Sequence, residues 1–423
     1  FDRLAREGVV FDNAYVTSPS CTPSRNSILT GQWHWRLDHG ANLWSTLDPR
    51  HPVYPLLLAD AGYHVGHWRK AWGPGDWKAL GRTEDPAGPN FKGFAEFLNA
   101  RPEGAPFCFW LGASDPHRPY VWQSGAKSGI DPAKIKLPAD LPDHPTVRDD
   151  VADYYFEVQR FDHDVANALK LLEEQGELDN TVVVMTGDHG MPFPRHKCHL
   201  YDSGTRVPLA VRWGKHVKAG RRVTDFVSLM DLAPTFLELA GVKAPPETTG
   251  RSLKEVLLSE KSGRVDPTRD HVLTGRERHT PCQEKPITGG YPMRAIRTDK
   301  YLYIRNFTPD RWPSGTPHAE RTSKPDPFAD CDGGPTKALL VKNPTDPQLA
   351  KYFDLAFAKR PAEELYDLES DADQLINVAD QAQYSAAKSE LAARLTAELK
   401  QTGDPRVVGG AEKLEAFPYR GST

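Results

Sequence analysis

The sequence predicts an α/β protein: a mixed, mostly parallel sheet sandwiched by helices, followed by a smaller unit with an antiparallel sheet and a helix. Three observations carry this. Short apolar runs alternate with helix-like periodicities through residues 1–265. Several of those runs are continuous, as in strands covered on both faces. Beyond His271 the texture changes to short strands separated by turn residues.

Bulk properties agree with this. A chain of 423 residues, 39% hydrophobic and 26% charged, has room for one large domain plus a smaller one and for a substantial core. No run approaches the roughly 18 apolar residues of a membrane helix. The net charge of −4 does not favour nucleic acid or an anionic membrane, so any bound anion must be held by a local cluster. Five sparsely spaced cysteines form neither a disulfide framework nor a zinc knuckle.

Taken in order, "FDRLAREG" is a short amphipathic helix with Phe1, Leu4 and Ala5 on one face. Gly8 stops it and the strand "VVFDNAYV" follows. There is no initiator Met and no signal peptide, so further residues are expected before Phe1, and targeting sequence does not define the compartment. "PLLLADAG" is a helix ending at Gly62, "YHVGHW" a strand, and "PFCFWLGAS" a strand expected to be buried on both faces. In "VRDDVADYYFEVQRFDHDVANALKLLEEQG", Val151, Tyr155, Val158, Val165, Leu169 and Leu172 recur at helical spacing until Gly176. "NTVVVMTGDHG" is a buried strand running into a loop, "VPLAVRW" another strand, and "LMDLAPTFLELAG" a helix. Sheets of this kind carry their chemistry on loops at the carboxyl ends of the strands. A boundary falls in "EKSGRVDPTRD", giving units 1–265 and 266–423. The second unit holds the strands "HVLTGRER", "YPMRAIRT" and "KYLYIRNF", a polar, Pro-rich stretch from Thr308 to Pro347, and the helix "AQYSAAKSELAARLTAELKQTG".

The chemistry starts at "CTPSRNSILTG". Cys21 could be buried filler, half of a disulfide, a metal ligand or a nucleophile. Arg25 lies one helical turn on, where a guanidinium can hold a nucleophile or an oxyanion. In "TGDHG", Asp188 could offer oxygen to a hard cation or merely cap the turn before Gly190. His196, Cys198 and His199 could bind a transition metal if partners joined them from elsewhere.

These stretches resemble the type I sulfatases, whose signature is Cys-x-Pro-Ser-Arg followed by a helix containing Leu-Thr-Gly. In that family the cysteine is oxidised to formylglycine. The hydrated aldehyde carries two hydroxyls on one carbon. One attacks the sulfur of a sulfate ester, and the other loses its proton and expels sulfate as the aldehyde reforms. Serine or cysteine offers only one such group, so its adduct would have no easy exit. The resemblance implies a calcium ion held by Asp188 and residue 21. His189 stands where many relatives have Asn, and would touch sulfate or the nucleophile or act as a weaker ligand. Lys197, in "HKCHLYDSGTRVPL", takes the sulfate-binding role. His117, in "SDPHRPY", would contact sulfate and donate a proton to the leaving group. "GYHVGHWRKAWGPG" aligns Lys70 with a family lysine, but the histidine expected two residues later is Trp72. Arg25, Lys70, His117 and Lys197 would form a cationic cup around position 21.

"DHGMPFPRHKCHLYDSGTRVPL", "TGRERHT", "GYPMRAIRT" and "ELYDLESDADQLINVA" most resemble the sulfamidase branch, the N-sulfoglucosamine sulfohydrolases and their bacterial heparan-sulfatase-like relatives. That likeness implies an alkaline-phosphatase-like α/β domain whose pocket the smaller domain helps to close. Arg278, His279 and Arg294 would read acidic or hydroxyl groups of the sugar, or else serve as surface charge on exposed strands. Eight of ten tryptophans lie at or before Trp122, and those in loops, such as Trp33, Trp35, Trp72 and Trp77, either stack on sugar or supply packing area. Implied partners are a sulfated saccharide, a formylglycine-generating enzyme and a second copy of the chain in a homodimer. The implied compartment is periplasmic, secreted or lysosome-like. The family's first metal motif, an Asp pair ending an opening strand, would lie upstream of Phe1. Two other readings therefore stay open: a phosphonate or phosphate ester hydrolase on the same scaffold, and a metal-deficient saccharide-binding relative.

Overall fold

The computed structural model describes residues 1–421. Seven strands lie between residues 9 and 228: β1 (Val9–Tyr15), β2 (His64–Arg69), β3 (Asn90–Phe91), β4 (Phe107–Gly112), β5 (Val183–Thr186), β6 (Leu209–Arg212) and β7 (Arg221–Ser228). They form two sheets. One is three-stranded and parallel, in the order β3-β2-β4. The other has the order β5-β6-β1-β7, with β6 antiparallel to both neighbours and β1 parallel to β7. The sheet is mixed as predicted, β6 running against its neighbours, but it is divided, because β4 and β5 each pair with one strand only.

Alternating side chains feed two apolar layers. On one face Val184, Leu209 and Val211 join Val9, Phe11, Val223 and Leu232. On the other, Val183, Met185 and Ala210 meet Phe94, Phe97, Val165, Leu169 and Leu172. Helix Pro145–Glu174 covers this second layer, with Tyr155 turned outward at 37% exposure. β4 shares both layers with β5: Trp110 packs in the first, Phe107 and Phe109 in the second. Both strands stay half-buried where the apolar runs predict full burial, since each is an edge.

Four more strands, β8 (His271–Arg276), β9 (Met293–Thr298), β10 (Tyr301–Asn306) and β11 (Glu363–Asp367), form an antiparallel sheet in the order β11-β10-β9-β8. One face packs Leu273, Ile296, Tyr303 and Leu365 on Leu391, Leu395 and Leu399 of helix Ser385–Gln401. Burial of each leucine contributes about 2 kcal/mol. Trp33 and Trp35 lie in this core, stacked 4.6 Å apart, which makes them packing residues. The opposite face holds Met293, Ala295, Leu302 and Ile304 against Leu200 and Tyr201. The small sheet therefore backs the loop carrying Lys197. The Pro-rich stretch is ordered, with helix Pro335–Lys342 and its own apolar cluster around Phe328 and Phe357.

Candidate active site

Helix Cys21–Thr30 starts at the end of the chain segment leaving β1, and all ten of its residues are buried. Such a helix is core on every side, so its position is fixed by polar contacts as well as packing. Asn26 donates to the Gly40 carbonyl at 3.0 Å and accepts from the Trp72 indole at 2.8 Å. Trp72, the departure from the family pattern, thus holds the helix that carries Cys21. Cys198 N–H donates to the Pro19 carbonyl at 2.9 Å, tying the Lys197 loop to the same helix start. Cys198 and Arg195 adopt left-handed φ values of 70° and 69°. Non-glycine residues hold such geometry only where surrounding contacts over-determine it. Here Arg195 lies 3.7 Å over the Tyr201 ring and donates to the Gln374 carbonyl.

At the site, Cys21 Sγ lies 3.2 Å from His189 Nε2. His189 Nδ1 donates to the Gly190 carbonyl at 2.8 Å, which turns Nε2 toward the sulfur. Donor atoms of Cys21, Asp188 and His189 lie within 4.8 Å of one another, the one such group of three among the described residues. With oxygen in place of sulfur at position 21, that residue and Asp188 offer oxygens to a hard divalent cation, whereas the His189 nitrogen is a poorer ligand for one. Arg25 donates Nε to Asp188 Oδ2 at 2.8 Å and Nη1 to the Ala71 carbonyl at 3.1 Å. It therefore positions the carboxylate and the Lys70 segment instead of reaching freely for sulfate. Gly112 permits that segment's approach: a Cβ there would sit 2.1 Å from the Lys70 carbonyl oxygen.

Electrostatics separate Cys21 from the other four cysteines, and none of the five is paired. Burial pushes Cys108 and Cys331 up to about 12, and Cys198 and Cys282 also rise through burial. Burial pushes Cys21 up too, but Lys70, Lys197 and His189 outweigh it and hold the group well below the usual thiol range. A surplus of positive charge thus faces this one position. Burial opposes ionisation of Asp188, yet Arg25, His189 and Lys70 hold it well below the usual carboxylate range. His189 is raised, since Asp188 and Cys21 outweigh its burial.

His117 sits at the exposed rim, with Nδ1 2.6 Å from the Arg118 carbonyl. A carbonyl only accepts, so Nδ1 carries the proton and Nε2 is an acceptor in the neutral ring. Burial and the nearby Lys197 lower its pKa, which favours the neutral ring at rest. His279 joins the site: its Nδ1 lies 2.8 Å from Ser20 Oγ, at the residue capping the Cys21 helix. Arg278 does not. Its guanidinium lies 5.9 Å from the Tyr419 ring and donates to the Thr288 carbonyl at 3.2 Å. Arg294 is likewise corrected. It is fully buried, bound to Glu277 at 2.7 Å and to both oxygens of Asp404, and no sugar reaches it. His196 pairs with Asp140 at 3.0 Å and His199 with Ser314 at 3.0 Å, so a metal cluster with Cys198 does not form.

Sequence reasoning missed Asp332, whose Oδ2 accepts from Lys197 Nζ at 2.8 Å. It lies in "DCDGG", within the stretch read as a polar connection. The available signal was two acids followed by paired glycines, a loop pinned on both sides.

Comparison with known proteins agrees with this geometry. The family model described as Sulfatase matches residues 1–242, and one described as N-sulphoglucosamine sulphohydrolase, C-terminal, matches residues 187–312. The chain is 29% identical to the human N-sulphoglucosamine sulphohydrolase over 72% of this chain and 68% of that protein. It is 26% identical to an ulvan-active sulfatase of Formosa agariphila over 95% and 75% of the two chains. A solved structure of a protein bound to its substrate D-glucosamine-2-N,6-O-disulfate superposes with a TM-score of 0.65 at 21% identity, covering 95% of this chain and 92% of that one. A phosphonate monoester hydrolase from Silicibacter pomeroyi superposes with a TM-score of 0.69 at 18% identity, over 96% and 91% of the chains. These two likenesses concern the fold, which is that of the alkaline-phosphatase-like sulfatases. With the family model spanning more than half of its length, the chain belongs to the sulfatase family, enzymes that hydrolyse sulfuric esters.

Proposed function

We propose that the chain removes sulfate from a sulfated saccharide, N-sulfated glucosamine of the heparan type being the favoured substrate. The observation that carries this is the geometry at position 21: at the start of a buried helix, Cys21, Asp188 and His189 bring donor atoms within 4.8 Å of one another, and Lys70 and Lys197 lower Cys21 while burial raises the other four cysteines. A group so placed is stabilised when negative charge develops on it. The match to the N-sulphoglucosamine sulphohydrolase C-terminal region and the likeness to the human enzyme of that name support the substrate.

Sulfatases use formylglycine and a metal ion, and the thiol here occupies the place of the aldehyde hydrate. One hydrate oxygen forms a bond to sulfur as the bond to the leaving atom breaks. The second hydroxyl then loses its proton, the carbonyl reforms and sulfate departs. Water adds back to restore the hydrate. Lys70 and Lys197 hold sulfate oxygens, His189 contacts the nucleophile, His117, neutral at rest, takes up the proton the attacking hydroxyl releases and gives it to the leaving atom, and His279 keeps the helix start in place through Ser20. Asp188 and residue 21 would hold calcium, which supplies Lewis-acid polarisation of the sulfate when bound. Because residues 21–30 are all buried, a formylglycine-generating enzyme must reach the segment before folding. Division into units 1–265 and 266–423, a homodimer, and a periplasmic, secreted or lysosome-like location belong to the same reading. No helix among the described residues is long and apolar enough to cross a membrane.

The test is turnover of paired aryl sulfate and aryl phosphate, with calcium added or chelated. Sulfate turnover that falls on chelation supports the reading. Preference for phosphate would replace it with the ester-hydrolase alternative, and binding of saccharide without turnover would replace it with the non-catalytic one.

A further inference from the structure

The cup contains one carboxylate that faces the cations from the C-terminal unit, and its mounting is rigid. Asp332 lies between two buried clamps. On one side Asp330, fully buried, accepts from Arg276 and from Thr280 N–H at 2.7 Å. On the other, Gly334 packs on the Arg118 guanidinium, where a Cβ would lie 2.5 Å from Nη1. Arg118 in turn makes paired bonds of 2.8 and 2.9 Å to Asp150, which also accepts from Thr336. A loop held this way positions its side chain within narrow limits.

Asp332 uses Oδ2 for Lys197, while among the described residues Oδ1 takes no hydrogen bond. The side chain is 21% exposed, so the free oxygen is open to solvent. Its neighbours locate it. Burial opposes its ionisation, but Lys197, His279 and His117 keep it charged. Bound to Lys197, which belongs to the sulfate side of the cup, Asp332 stands at the cup's edge, where a negative charge is a liability for sulfate binding alone. The bridging atom of a sulfate ester is an oxygen bearing lone pairs, which a carboxylate repels. The bridging atom of a sulfamate is an N–H, which a carboxylate accepts.

We propose that Asp332 is a specificity-determining residue that accepts a hydrogen bond from the bridging N–H of a sulfamate and from the amine it becomes, favouring S–N over S–O cleavage. The inference rests on the sulfatase reading above. In the step, oxygen of the hydrate bonds to sulfur, the S–N pair returns to nitrogen, and the proton released by the attacking hydroxyl ends on that nitrogen. Asp332 transfers no proton; it holds the N–H and then the amine.

The experiment compares wild type, Asp332→Asn and Asp332→Ser on glucosamine N-sulfate and on an aryl sulfate, with thermal midpoints recorded. Loss of a charge-assisted hydrogen bond predicts a kcat/KM on the sulfamate at least about tenfold further reduced than on the aryl ester. Binding of glucosamine over glucose, measured by calorimetry on the same proteins, is expected to fall in parallel. Equal losses on both substrates would overturn the proposal, leaving Asp332 as a partner of Lys197 only. Unchanged sulfamate turnover, or an undiminished preference for glucosamine, would also overturn it. Wild type that cleaves the aryl ester but no sulfamate would refute this inference and leave the sulfatase reading standing; wild type inactive on both would refute the reading itself.

Discussion

Two sets of basic and acidic side chains differ in what their charges face. In the first, Arg294 meets Glu277 and Asp404, Arg276 meets Asp330, and Arg269 meets Asp231 at 2.7 Å. Each guanidinium there is sealed and matched. Around Cys21 the cations are Arg25, Lys70, Lys197 and His189, and two carboxylates, Asp188 and Asp332, do not balance them. The remaining positive charge converges on one buried atom beneath an exposed rim. Burial of charge is common to both clusters; surplus of one sign and a route to solvent belong to the site alone.

The sharpest way to break the comparison is Cys21→Ser. Serine supplies one hydroxyl and no exit for its sulfated adduct, so turnover should fall about 10⁴-fold or more. The adduct should accumulate, visible in intact mass, whereas repeated turnover by the serine variant would contradict the two-hydroxyl argument. Next comes Arg294→Met in the matched cluster. It leaves Glu277 and Asp404 buried without their partner and should cost about 3–5 kcal/mol of stability. Denaturant midpoints would show this, with activity per folded molecule retained; a selective loss of activity would return Arg294 to the sugar site. Lys197→Ala removes a cation of the site. Aryl sulfate kcat/KM should drop about 10²- to 10³-fold, with a midpoint loss smaller than for Arg294→Met because its partner Asp332 is 21% exposed.

The smallest effect lies outside both clusters, at the surface pair of Asp270 with Arg394, 2.8 Å apart. Burial opposes ionisation of Asp270, but Arg394 and His271 bring its pKa from 3.8 to about 2. A carboxylate depressed on folding stabilises above its unfolded pKa and loses that contribution as pH falls through the folded one. Asp270→Asn should therefore flatten the acid limb of stability between pH 3.8 and about 2, by less than about 1 kcal/mol because the side chain is 45% exposed. A larger shift in acid titrations of the two proteins would mean the pair is part of a coupled network.

Much of this was legible in the residues. Continuous apolar runs announced β2, β4, β5 and β6, and helical periodicity announced helix Pro145–Glu174. β7 was not read, because "RRVTDFVS" mixes arginine and aspartate into an alternating pattern. β11 was missed as well: it is five residues long, and its buried Glu364 looks exposed until Tyr201 and Tyr366 are seen donating to it. Division of the sheet was invisible because an apolar run signals a strand and not its number of neighbours. At the site, Cys21, Arg25, Asp188, His189 and Lys197 were named through the resemblance of their segments to sulfatase motifs, and the first four meet in the structure. Arg294 was misread because one arginine on a strand says nothing about the carboxylates that seal it, and Asp404 is 110 residues away. Asp332 was missed for the same reason in reverse: its partner Lys197 is 135 residues distant, and local sequence records no such meeting.

The central claim is that sulfur transfer occurs on an oxygen carried by residue 21. The most direct measurement is the mass of the peptide holding Cys21, taken across preparations that differ in maturation, against aryl sulfatase activity. The account predicts a form about 18 Da lighter than the thiol, whose fraction tracks activity in proportion. Full activity in a preparation whose Cys21 remains entirely a thiol would contradict it.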